Sequence, residues 1–171
     1  MTEQERTALE RRADMLCAYA CRGIYGARTQ RQRMLDADVV TFDLDFYAFA
    51  AWQLREAGRQ AKNRMPGAPE VKPKVAALLE QLDAAVPGLQ SFRDEMTHAV
   101  DDVNPNHAQF GSFVAELLPG GEVKYVLDSR YEDHEALEDF FAGLVAVLQP
   151  HGSGRAADSI AAALRQRPPR R

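Results

Sequence analysis

The chain has 171 residues, 46% hydrophobic and 27% charged, with a formal net charge of −4. That length suits one domain with one ordinary core, and the composition excludes both a disordered polyelectrolyte and a bilayer span of roughly 20 apolar residues. The acidic balance argues against a protein that coats nucleic acid nonspecifically.

The charge is nevertheless uneven. Seven arginines face four acids between Met1 and Arg33, and "EDHEALED", Glu132 to Asp139, holds five acids and no base. Of the basic residues, 17 are Arg and 4 are Lys, and Arg is the better bidentate phosphate partner. The first residues, "MTEQERTALERRADM", are dense in charge and carry no secretory apolar run, so the expected location is the cytoplasm.

From about Glu5 to Arg22, Leu9, Ala13, Leu16, Ala20 and Ile24 recur at helical spacing. Cys17 and Cys21 lie on one face of that helix, where bridging geometry is poor, and read as free thiols turned to the core. Gly23 and Gly26 weaken the helix end, and "RTQRQR" reads as a frayed extension or basic connector.

The next segment carries two apolar rows, Leu44/Tyr47/Ala51/Leu54 and Phe42/Phe46/Phe49, and is expected to be the central helix, capped by Asp43 or Asp45 and ended by "MPGAP". A third helix follows Pro73 with Val75, Leu78, Leu79 and Leu82. After "VPG" comes a fourth, with Leu89, Phe92, Met96, Ala99 and Val103 on its apolar side.

Beyond "NPN" the texture changes. Short alternating runs flank "PGGE" between about Phe110 and Leu127 and read as a β-hairpin. "YEDHEALEDFFAGLVAVL" returns to helical period, with Leu137, Phe140, Phe141, Leu144 and Leu148 on one side and Asp133 as a plausible cap. His134 near its start, His107 in a loop and His151 in the tail have no evident partner. The fold expected is mainly α: an up-and-down bundle of about five helices with a β-hairpin inserted before the last helix, forming one domain over 1–149. Residues 150–171 read as a linker, one short helix at most, and a partly disordered basic tail.

The chemistry-bearing stretch is "SFRDEMTHAV", Ser91 to Val100. Arg93, Asp94 and His98 fall off the apolar side of the fourth helix. Asp94 and His98, at i,i+4 spacing, let a carboxylate orient one imidazole nitrogen and leave the other free for proton transfer. A phosphodiester reaction needs such a group near neutral pKa and a fixed cation for the phosphate charge.

"RDEMTH" resembles the Arg, polar residue, spacer, His pattern of the HEPN superfamily, small helical bundles that include ribonucleases of toxin–antitoxin and abortive-infection systems. The resemblance implies Arg93 as the phosphate-binding residue, His98 as the catalytic imidazole and Asp94 as the polar residue beside the arginine. It also implies a homodimer that cuts RNA without metal in a cleft between two subunits, driving the 2′-hydroxyl onto the adjacent phosphate. No cofactor is called for, and an antitoxin-like protein is a further partner. The other reading open at this point is a non-catalytic helical module that self-associates or holds a partner.

"VVTFDLDFY" is similar to the first motif of haloacid-dehalogenase-like phosphohydrolases, with Asp43 and Asp45 in its acidic places. It departs from that motif because Phe46 and Tyr47 replace the small residues and no strand–helix alternation follows.

Overall fold

A computed structural model describes residues 1–36, 41–86, 89, 115–117, 123–125 and 132–167, with residues 41–45, 115–117, 123–125, 132 and 133 described in backbone only. The described chain is mainly helical. Among the described residues the α-helices are α1 (Glu3–Asp36), α2 (Thr41–Asn63), α3 (Val71–Ala85), α4 (Glu132–Leu148) and α5 (Ala157–Arg165).

Helix α1 starts on a capping box. The Glu5 backbone N–H donates to Thr2 Oγ1 at 3.2 Å, and the Thr2 nitrogen donates to Glu5 Oε2 at 2.6 Å, which satisfies donors that a helix start otherwise leaves unpaired. The helix then runs 34 residues, about 50 Å at 1.5 Å per residue. It does not end near Arg22. Gly23 and Gly26 are contact points: a Cβ on Gly23 would stand 2.9 Å from the Leu54 Cβ and backbone nitrogen, and one on Gly26 would stand 2.9 Å from the Ala50 Cβ. Their bare Cα atoms let α1 and α2 approach closely. Because positions 23 and 26 meet 54 and 50, the two helices run antiparallel. The same stretch that local propensity reads as a weak helix end is held helical by tertiary packing.

The core row of α1 comprises Leu9, Ala13, Leu16, Cys17, Ala20, Cys21, Ile24 and Ala27, all buried. It packs on α2 and also touches α4 and α5. In α2 one expected row is right where described: Tyr47, Ala51 and Leu54 are fully buried. The other faces outward, with Phe46 59% and Phe49 39% exposed and the Phe49 ring 5.9 Å from that of Trp52. The backbone of α2 is already helical at Thr41, ahead of Asp43 and Asp45. Neither aspartate therefore sits on a loop at a strand end, which removes the phosphohydrolase motif.

Pro73 is accommodated in the first turn of α3, where its missing N–H would have had no helical acceptor. Val71, Val75, Leu79 and Leu82 of that helix are buried, and α3 packs on α2 and α4. Arg55 clamps α2 to α3 through a two-pronged bond to Asp83 at 2.6 and 2.7 Å. In α4 the expected row of Leu137, Phe140, Phe141, Leu144 and Leu148 is buried throughout.

A 3₁₀ turn, Gln149–His151, follows α4. Asp14 of α1 accepts bonds from the Ser153 backbone nitrogen at 3.1 Å and hydroxyl at 2.5 Å. Helix α5 then docks on α1, with Ile160 and Ala163 buried.

Most of the range expected to form a hairpin lies outside the described residues. Within it, β1 (Ala115–Leu117) and β2 (Val123–Tyr125) pair antiparallel, with Ala115 opposite Tyr125 and Leu117 opposite Val123. Three residues a side is shorter than the usual strand of about five or six. The described chain does not support a hairpin as an inserted element of the bundle.

Candidate functional site

Arg93, Asp94 and His98 lie outside the described residues, as does His107. What the structure does place is Leu89, the first residue of the apolar side expected for their helix. It is fully buried, and its backbone N–H donates to the Val86 carbonyl at 3.1 Å.

The titratable groups that the described residues bring together are Arg28, Tyr47, His134 and Glu138, from α1, α2 and α4. Positions 134 and 138 of α4 are one helical turn apart and fall on the same side as Leu137, Phe141 and Leu144, so both polar side chains enter the core. Glu138 and His134 are each only 3% exposed. A carboxylate in such a place requires a cation with matching geometry. Arg28 supplies it: Nε donates to Glu138 Oε1 at 2.6 Å and Nη2 to Oε2 at 2.7 Å. A third donor, Nη1, reaches the Ala163 carbonyl at 2.7 Å, one of the carbonyls that the last turn of α5 leaves without a helical partner.

His134 completes the group. Its Nδ1 lies 3.2 Å from the Tyr47 hydroxyl, and its Nε2 lies 3.3 Å from Glu138 Oε1 without the alignment of a full hydrogen bond. A carboxylate only accepts, so the nitrogen facing it carries a proton, and the other ring nitrogen, Nδ1, shares a hydrogen bond with the Tyr47 hydroxyl. Burial pushes the Glu138 carboxyl up. The two hydrogen bonds and the charge of Arg28, with the nearby His134 ring, outweigh it and hold the group below its ordinary value of 4.5.

A tyrosine, an imidazole and a carboxylate in line resemble a proton relay. Burial decides against that use, because Tyr47 has no exposed surface and its partners almost none. The cluster is a clamp on the bundle. Neither Arg28 nor His134 was expected in it. The readable signal was two polar residues, His134 and Glu138, standing on an otherwise apolar helical row.

The remaining candidates are as follows. Cys17 and Cys21 are free and buried, as expected from their helical spacing. Burial first, then the neighbouring Cys21 and Asp14, pushes the Cys17 thiol up to about 12, and burial also raises that of Cys21. Both are poor nucleophiles in the folded protein. His151 is partnered after all, with Nε2 3.4 Å from Glu70 Oε1. Among the described residues no three His, Cys, Asp or Glu side chains converge as metal ligands would, and no helix is long and apolar enough to cross a membrane.

No protein-family model, curated protein or solved structure matches the chain.

Proposed function

We propose that the protein is a HEPN-like helical bundle that binds or cleaves RNA without metal, in a cleft formed by two copies around Arg93 and His98. Asp94 orients the imidazole, His98 moves the proton of the attacking 2′-hydroxyl, and Arg93 holds the phosphate as its charge grows. A β-hairpin between about Phe110 and Leu127 and a cytoplasmic role beside an antitoxin-like partner belong to the same proposal. One observation supports it: in a mainly helical chain, Leu89 is fully buried. In the sequence pattern this residue opens the apolar row Leu89/Phe92/Met96/Ala99/Val103, and a helix of that period would put Arg93, Asp94 and His98 off it.

The test is incubation of purified protein with single-stranded and structured RNA in the presence of a chelator. Cleavage with 2′,3′-cyclic phosphate ends is the expected result. A folded protein that cuts no RNA and binds none removes the reading.

A second reading, a non-catalytic module that works by association, is favoured by the large apolar side chains left outside the core: Met15, Tyr19, Phe46 and Phe49. It is distinguished by a protein that assembles with a partner and has no effect on RNA.

A further inference from the structure

The outward side of α1 carries an unused seam. Gln4, Ala8, Arg11, Met15, Ala18 and Arg22 are all exposed, and they succeed one another at steps of four and three residues. That is the a/d spacing of a helix built to pack along another helix. Its apolar centre is Met15, 57% exposed, beside Tyr19, 50% exposed.

Towards the start of the seam, Gln4, Thr7, Ala8 and Arg11, together with Glu3, line a shallow open depression of about 350 Å³. Residues 4, 7, 8 and 11 stand at i, i+3, i+4 and i+7, the four corners of a hole that receives a knob from a facing helix.

The charges on this face specify the occupant. The acids in the first half of α1 are engaged: Glu3 and Glu10 with Arg6, Glu5 in the capping box, and Asp14 on Ser153. Among the described residues Arg28, Arg55, Arg59 and Arg167 each bind a carboxylate, whereas no hydrogen bond or ion pair engages Arg11 or Arg22. These two bracket the apolar centre, eleven residues and about 16 Å apart. A second copy is a poor fit. A parallel copy sets Arg11 against Arg11, and an antiparallel copy centred between Met15 and Ala18, so that the apolar residues meet, sets Arg11 against Arg22; both arrangements oppose like charges.

We infer that the Gln4–Arg22 seam of α1 is the docking surface for an acidic amphipathic helix of a different protein, with apolar knobs over Met15 and Ala18 and carboxylates against Arg11 and Arg22. The inference rests on α1 alone and is independent of the RNA reading, so failure of RNA cleavage leaves it standing.

The probes are two synthetic heptad peptides with leucine along one seam. One carries glutamate, the other lysine, at the two flanking positions that fall opposite Arg11 and Arg22. In a fluorescence-anisotropy titration the glutamate peptide binds, and the lysine peptide binds at least about tenfold more weakly, the scale on which opposed rim charges discriminate. Arg11→Glu combined with Arg22→Glu reverses that preference, and Met15→Asp abolishes both interactions. The peptide exchange on the unaltered protein needs no variant. Each variant is also checked for an unchanged unfolding transition.

Three results overturn the inference. The first is no saturable binding of the glutamate peptide, or equal binding of both peptides. The second is a homodimer in solution that Met15→Asp dissociates, which assigns the seam to a second copy. The third is a single-stranded RNA oligonucleotide that binds and loses affinity in the doubly charge-reversed protein while the glutamate peptide does not bind, which assigns the arginines to phosphate.

Discussion

Arg28 and Glu138, 110 positions apart, form a two-pronged ion pair whose side chains are 10% and 4% exposed, and the same guanidinium closes the end of α5 through Ala163. Removing one partner of such a pair leaves a buried charge uncompensated, at a cost of about 3–5 kcal/mol. Urea denaturation of Arg28→Ala or Glu138→Ala is expected to show a loss of that size. The double replacement Arg28→Met with Glu138→Leu is expected to be far less damaging, because no charge is left without its partner. Equal losses in the single and double variants would show that packing, not charge, carries the effect.

The same pair sets an acid limit. The Glu138 carboxyl titrates lower in the folded chain than in the unfolded one, so its contribution is fully present above the unfolded value and is lost as pH falls through the lower folded value. Melting temperature is expected to drop below about pH 4.5, the ordinary value of the carboxyl. In Glu138→Gln the acid slope flattens, and stability is lower at neutral pH. An unchanged slope would assign the acid limit to other carboxylates.

Gly23 and Gly26 are expected to respond differently to alanine. Each gains helix propensity of about 1 kcal/mol. At Gly23 the new methyl meets the α2 backbone at Leu54, and at Gly26 it meets only the Ala50 side chain. Overpacking of this kind costs roughly 1–3 kcal/mol. Gly23→Ala should therefore be net destabilising and Gly26→Ala close to neutral, as read by thermal melts of the two variants side by side.

The two thiols offer a probe of local opening. With Cys17 raised to about 12 and Cys21 raised by burial, neither is expected to react with an aromatic disulfide at pH 8 until the bundle opens. Reaction rates that match those in denaturant would contradict the burial of that row.

For the RNA reading, His98→Ala is expected to lose on the order of 100-fold or more in cleavage rate, the usual scale of a general acid/base group. Arg93→Lys is expected to fail as well, since a point charge does not copy the guanidinium fork. Full cleavage by His98→Ala would place the chemistry elsewhere.

The apolar rows of α1, α3 and α4 were legible because each is periodic over several turns, and period is the signal that local sequence carries best. The extension of α1 past Arg22 was not legible. Gly23 and Gly26 read as breakers when seen alone, and only the Leu54 and Ala50 side of the contact shows why they are glycine. The outward row of α2 misled for a related reason: Phe46 and Phe49 look like core residues by composition, yet hydrophobicity does not state which face is covered.

The clamp was the least legible part. "EDHEALED" has the appearance of a solvated acidic face, and for its outer residues, Glu135 and Asp139, that appearance is right. His134 and Glu138 turn inward, and the reason, Arg28, is more than a hundred residues away. The candidate site at Arg93, Asp94 and His98 was proposed from spacing and resemblance, and it lies outside the described residues.

The tie from Arg28 to Glu138 and Ala163 orders events in a growing chain. At ribosomal rates of about 5–20 residues per second, the interval between the emergence of Arg28 and of its partners lasts roughly 5–25 seconds. The α1/α2 hairpin, complete by residue 63, is long finished in that interval, yet its guanidinium has no carboxylate to hold. Until α4 arrives, the half-made bundle leaves open to water the side of α1 around Arg28 on which that helix packs. A nascent chain of this protein is therefore most vulnerable to holding chaperones and proteases late in synthesis, when most of its mass already exists and the clamp that closes it does not.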